Sequence, residues 1–252
     1  MRGVKRLHTW VINLDRAPQR LARIGPRLDQ LGLAWTRFSA VEGRLLSEAE
    51  QAATLDQPSF EQLHGMTPSL GELGCYLSHV GLMQVFLQTP HEFALILEDD
   101  VWPTAALPEV LEHLMAAAPR WDMVKLSAIH SGTPVAVLPV GHEHQLGVMF
   151  SRCTGASAYV VNRAAAQRYV QQLLPMQLPY DHAYDRGWVY GLKVRRVFPE
   201  VCAHDDQVES TIGNPGPSRK FHWSRRWTTY GHRLKTELAR LGYGVVQLLV
   251  HR

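Results

Sequence analysis

Apolar residues along this chain recur in two rhythms. Short continuous runs, such as Leu7 to Leu14 and Phe93 to Leu97, have the length and density of strands buried on both faces. Between them, apolar positions return every three or four residues, as in Leu21, Ile24, Leu28 and Leu31, which marks one face of a helix. Pro18 suits the first turn of that helix and Gly32 its end. Trp35 to Ala40 reads as a second strand, and Ser47 with Glu50 as a capping box. A helix opens at Thr67-Pro68, with Leu70, Leu73, Leu77 and Val80 on its inner face. Another helix starts at Thr104 and ends near Ala118-Pro119. Strands are expected at 122–127, 157–161 and 192–198, and helices at 163–174 and 181–190. Residues 130–150, rich in Gly, Pro and His, read as a long loop.

Strands alternating with helices predict an α/β fold with a mainly parallel central sheet flanked by helices. Ligands of such sheets bind beyond the carboxyl ends of the strands. That rule gathers three polar strand ends at one edge: Asn13-Asp15-Arg16, Ser39-Glu42 and Glu98-Asp99-Asp100.

Composition narrows the picture modestly. The 252 residues are 46% hydrophobic and 19% charged, an ordinary globular balance with room for a large core. The net charge of +3 gives no argument for nucleic acid, and no recognition motif accompanies it. Cys75, Cys153 and Cys202 are far apart, so neither a disulfide framework nor a zinc knuckle is suggested, and a reducing cytoplasm fits. The start of the chain lacks the apolar core of a signal peptide, and no run reaches the ~18 apolar residues of a membrane span.

The run "ALILEDDV" carries the first chemistry. Three carboxylates at the end of a buried strand repel one another and lose hydration. A hard divalent cation, Mg²⁺ or Mn²⁺, would relieve that strain while binding substrate phosphates. The competing reading is a solvated cluster ahead of a helix start, where the helix dipole favours negative charge. Strand alternation places Glu98 and Asp100 on one side and Asp99 on the other.

Five segments, "VINLDRAPQR", "SAVEG", "GELGCYLSHVGLMQ", "ALILEDDV" and "GASAYVVNRAAAQ", occur in that order. Together, over residues 9–204, they resemble glycosyltransferase family 25, which includes lipooligosaccharide and collagen galactosyltransferases. The resemblance implies a GT-A-like domain, taken as residues 1–215, a UDP-sugar donor, a Mn²⁺ (or Mg²⁺) ion and inversion at the sugar carbon. The metal would be held by Asp100 first and Glu98 next, with His204 completing the shell. Donor contacts would come from Asn13, Asp15, Arg16 and Arg20 and from Ala40 and Glu42. Ser78, His79, Asp99 and Gly155 would add to them. Ala17 and Gln19 stand where the family usually carries charge, which weakens any role given to those two positions. An inverting transfer needs a base for the acceptor hydroxyl. Asp181 matches the family's "P-x-D" segment, and Asp185, four residues on, is the fallback. Cys75 reads as a small buried hydrophobe.

The implied reaction moves a hexose, galactose from UDP-galactose, to a lipooligosaccharide or other lipid-linked glycan acceptor. Two rivals use the same residues: a metal-dependent phosphoesterase or nucleotidyltransferase, and a non-catalytic nucleotide-sugar-binding protein. Residues 216–252 form a basic, aromatic tail. From Arg219 onward it has eight Lys or Arg, one acid, Glu237, and interleaved Trp223, Trp227 and Tyr230. That composition suits the anionic cytoplasmic face of a membrane, with the protein held there peripherally. The plainer alternative is a terminal helix packed on the domain.

Overall fold

The computed structural model describes residues 6–204 and 219–250. The first strand, β1 (Leu7–Asn13), is buried along most of its length. Helix α1 (Pro18–Gln30) returns to β2 (Trp35–Ser39), with Gly32 supplying the left-handed turn (φ 67°) between them. Helices α2 (Glu48–Thr54) and α3 (Gln57–His64) follow, the first held by the expected capping box of Ser47 and Glu50. Helix α4 (Leu70–Leu87) starts two residues later than expected, because Ser69 and Glu72 form a second capping box.

Strand β3 (Phe93–Glu98) leads through a turn into β4 (Val101–Pro103) and α5 (Leu107–Ala116). Then come β5 (Met123–Lys125), β6 (Pro134–Pro139), β7 (Gln145–Met149), β8 (Ala158–Asn162) and α6 (Arg163–Gln172). Two single-turn helices follow, α7 (Tyr180–Ala183) and α8 (Gly187–Tyr190), then β9 (Val194–Phe198), β10 (Cys202–His204) and α9 (Trp227–Val250).

Eight strands form one sheet in the order β2-β1-β3-β8-β5-β9-β7-β6. Strands β1, β2, β3, β5, β6 and β9 run one way, and β7 and β8 run against them. The α/β class with a mostly parallel sheet therefore holds. Helices cover both faces. Trp10, Ile96, Tyr159 and Val161 pack beneath α3, α4 and α6, where Phe60, Tyr76, Phe86 and Tyr169 meet them. Val11, Leu95, Leu97 and Val160 face α1 and α5 through Ile24, Leu28, Val110 and Leu114.

Two expectations fail. Residues 130–150 are not a loop: they contain the antiparallel pair β6–β7 at the sheet edge. Pro and Gly are tolerated in an edge hairpin, so their presence misled. The segment 181–190 is two short helices rather than one, so Asp181 and Asp185 do not share a helical face.

Candidate functional site

Adjacent parallel strands β2, β1 and β3 end together, and a cavity of about 290 Å³ opens at their carboxyl ends. From beyond β1 come Leu14, Arg16 and Arg20; from beyond β2 come Ala40, Val41, Glu42, Gly43 and Arg44. Helix α4 contributes Gly71, Cys75, Ser78 and His79, and β3 contributes Glu98, Asp99 and Asp100. The loop after β2 is pressed against α4. A Cβ on Gly43 would stand 1.7 Å from the Leu70 carbonyl oxygen, and one on Gly74 would stand 2.6 Å from that of Val41. Ser78 locks the same contact, accepting from the Val41 N–H at 2.8 Å and donating to the Gly74 carbonyl at 2.7 Å.

The acidic triplet divides differently from the expected alternation. The strand ends at Glu98, and Asp99-Asp100 form a turn. A turn breaks the two-residue period, so the two aspartates converge. Arg20 lies 2.9 Å from Asp99 Oδ1 and 3.2 Å from Asp100 Oδ2. Asn13 donates to Asp99 Oδ2 at 2.6 Å and to the Ala17 carbonyl at 2.9 Å. Burial pushes the Asp99 carboxyl above its usual range, and Asn13 and Arg20 offset this only in part.

Glu98 turns the other way, to His79 Nε2 at 3.1 Å and to Cys75 Sγ at 3.7 Å. His79 Nδ1 meets the Tyr159 hydroxyl at 2.8 Å, and its ring stacks on Tyr180 at 4.2 Å. Burial raises the Glu98 carboxyl, but the hydrogen bond and charge of His79 more than reverse it, leaving it below the usual range. Cys75 is thus a cavity residue, not only a small hydrophobe.

Two sets of donors could hold a metal. Asp99 and Asp100 offer hard carboxylate oxygens, which suit Mg²⁺ or Mn²⁺. Cys75, His79 and Glu98 bring ligand atoms within 4.8 Å of one another. Their mixed sulfur, nitrogen and oxygen set suits a softer ion such as zinc. The backbone of His204 pairs with Val101, beside Asp100, while its side chain and residues 205–218 lie outside the described residues.

The remaining expected residues lie around the cavity or away from it. Arg16 and Arg44 both bond Glu42 at its rim. Asp15 faces β2 instead, accepting from Arg37 and from Ser39 Oγ, and those hydrogen bonds, Arg37 first, lower its carboxyl. Gly155 does not line the cavity. Its left-handed conformation (φ 96°) aims its N–H at Asp181 Oδ2, 3.0 Å away. Burial raises the Asp181 carboxyl, but His182, that N–H and Lys125 outweigh it and leave the group below its usual range. Like Gly155, Asp181 is not among the residues that line the cavity. Asp185 is elsewhere: it is buried against Arg240 of α9 at 3.1 Å.

Comparison with known proteins identifies the family. The family model described as "Glycosyltransferase family 25 (LPS biosynthesis protein)" matches residues 6–184. A "Glycosyltransferase 25 family member" of Aedes aegypti is 34% identical over 97 residues, covering 37% of this chain and 16% of that protein. "Probable inactive glycosyltransferase 25 family member 3" of Bos taurus is 27% identical over 68% of this chain and 30% of its own length. "Procollagen galactosyltransferase 1" of Danio rerio is 25% identical over the same shares. The chain therefore spans less than a third of the length of these relatives. A solved structure titled as a glycosyltransferase involved in glycosylation of the major capsid of PBCV-1 has a TM-score of 0.34, 8% identity, and 92% and 98% coverage of the two chains. With every motif that lines the cavity falling inside the matched residues, this chain belongs to glycosyltransferase family 25.

Proposed function

We propose that the cavity binds a nucleotide-sugar donor, UDP-galactose, and that the chain transfers its hexose with inversion to a lipid-linked saccharide. The observation that carries this reading is the convergence of Arg16, Arg20 and Arg44 with Asp99 and Asp100 at the ends of three adjacent strands. Arginines at the rim match the two phosphates of a nucleotide diphosphate. The aspartate pair fits a Mn²⁺ or Mg²⁺ ion by donor chemistry, and Arg20 already supplies a cation to both carboxylates. When bound, the ion would act as a Lewis acid, stabilising charge on the departing diphosphate.

Asp181 stands as the base. It accepts the acceptor hydroxyl's proton as that oxygen bonds to the anomeric carbon and the sugar–phosphate bond breaks, releasing UDP. Glu98 and His79 order the wall between donor and acceptor. Titration calorimetry with UDP, with and without Mn²⁺, tests the reading. Metal-dependent binding lost in Asp100→Ala supports it, whereas equal binding by the variant removes the acid pair from the donor site. Transfer to a saccharide acceptor separates this activity from a phosphoesterase and from an inactive relative that only binds.

The exposed face of α9 favours a peripheral membrane location. Trp227, Leu234, Leu238, Leu241, Val245 and Leu249 form an exposed apolar stripe along the helix. Lys220, Arg225 and Lys235 are exposed, and Glu237 is half-buried. No described helix is long and apolar enough to cross a membrane. An amphipathic helix with this face lies in the plane of an anionic bilayer surface. Flotation with anionic vesicles should fall sharply for Leu238→Glu/Val245→Glu; unchanged flotation would remove the helix from membrane binding.

A further inference from the structure

Between the body and α9, cationic side chains outnumber acids among the described residues. Arg152, Arg186, Arg233 and Arg240 line one small cavity of about 30 Å³, and its acids are Asp185 and Glu237. Asp185 is committed to Arg240. Arg186 donates to the Ala183 carbonyl at 3.3 Å and to the Tyr190 hydroxyl at 3.4 Å. Arg152 and Arg233 are half-buried and make no hydrogen bond or ion pair among the described residues. His64, His182 and His232 complete the wall, the first two with rings 5.2 Å apart.

The strain of this arrangement shows in the titrating groups. Burial first, then His182, Arg233 and Arg152, against the opposing charge of Asp181, bring the His64 imidazole down to about 3. His182 and His232 are lowered as well, burial leading in both. Arg233 itself is lowered by burial and by the charges of Arg226 and Arg152. Gathering like charges in a partly dry space is unfavourable unless an anion arrives.

We propose that this cluster is a binding site for an oxyanion, phosphate or carboxylate, carried by the saccharide acceptor. A phosphate exceeds the present space, so the Arg152 and Arg233 side chains must move apart to admit it. Two guanidinium forks suit such a group better than point charges do. His182 adjoins Asp181, so an acceptor anchored here presents a hydroxyl toward that carboxylate. Assignment of the anion to the acceptor rests on the transferase reading; the oxyanion site itself does not.

The test is thermal unfolding of the full chain and NMR of its histidine rings, with added inorganic phosphate, glucose 6-phosphate or glucose at constant ionic strength. Phosphate and glucose 6-phosphate should saturate, moving the His64, His182 and His232 rings, while glucose leaves them in place. Arg152→Gln/Arg233→Gln should weaken the binding read at these three rings at least tenfold. Without anion the double variant should melt higher than the native chain, because it loses repulsion. Non-saturating shifts, or saturation unchanged in the double variant, would overturn the site. Binding of phosphate but not of glucose 6-phosphate would overturn its assignment to the acceptor. UDP serves as a separate arm: failure to move the His79 ring would count against the donor cavity alone.

Discussion

The Asp185–Arg240 pair decides whether Asp185 is chemistry or anchorage. Its side chains are 2% and 4% exposed and 3.1 Å apart, and the Arg240 guanidinium also lies 4.9 Å over the Trp188 ring. Breaking a pair so buried strands one charge, a loss of about 3–5 kcal/mol. Against a typical total stability of about 5–15 kcal/mol, that is severe. The loss should be unequal. Asp185→Leu leaves Arg240 among three other guanidinium groups, whereas Arg240→Met leaves one carboxylate near those same cations. Asp185→Leu is therefore the costlier change. The double variant removes both charges and should return to within roughly 1–2 kcal/mol of the native chain, since apolar replacement of a buried pair is often neutral. Urea unfolding of the four proteins gives the coupling directly. UDP binding by the double variant should match the native protein, because neither residue lines the cavity at the strand ends. A double variant as unstable as the sum of its parents, or a cost below about 1 kcal/mol for Asp185→Leu, would refute the anchor.

Three further outcomes follow from the structure. Arg20→Gln leaves Asp99 and Asp100 without the cation they share, so it should lower the melting temperature, and Mn²⁺ should restore it. A hundredfold excess over Kd corresponds to about 2.7 kcal/mol, and a variant insensitive to Mn²⁺ would argue against metal at that pair. The His64 imidazole is depressed to about 3 in the fold and sits near 6.5 unfolded, so protonation favours the unfolded chain. Stability should decline as pH falls from about 6.5 toward 3, and His64→Gln should flatten the acid limb of a melting-temperature profile. Gly43→Ala forces a methyl into the Leu70 carbonyl, so calorimetry should show weakened UDP binding and a loss of about 1–3 kcal/mol or more, the range for overpacking.

The sequence was most legible where one local signal sufficed. The apolar run before Glu98, the capping box at Ser47 and the turn at Gly32 each carry their structure in a few neighbours, and all three formed. The crevice was legible too, because parallel strand ends gather by topology rather than by side-chain detail. Interactions across distant segments were not. Nothing near Arg20 in sequence shows that it would bridge Asp99 and Asp100, nor does α9 reveal that Arg240 would claim Asp185. Gly43 and Gly74 left no pattern either, since their importance is the space they omit between two segments. The turn at Asp99-Asp100 is the instructive failure. Two-residue alternation is a property of extended chain, and the chain stops being extended one residue after the core ends. That turn is what brings both aspartates to one arginine and sends Glu98 to His79. The repulsion within the triplet is thus met twice, by a guanidinium on one side and by an imidazole on the other. A divalent ion held by Asp99 and Asp100 would have to compete with Arg20 for their oxygens, because the guanidinium lies 2.9 Å and 3.2 Å from them.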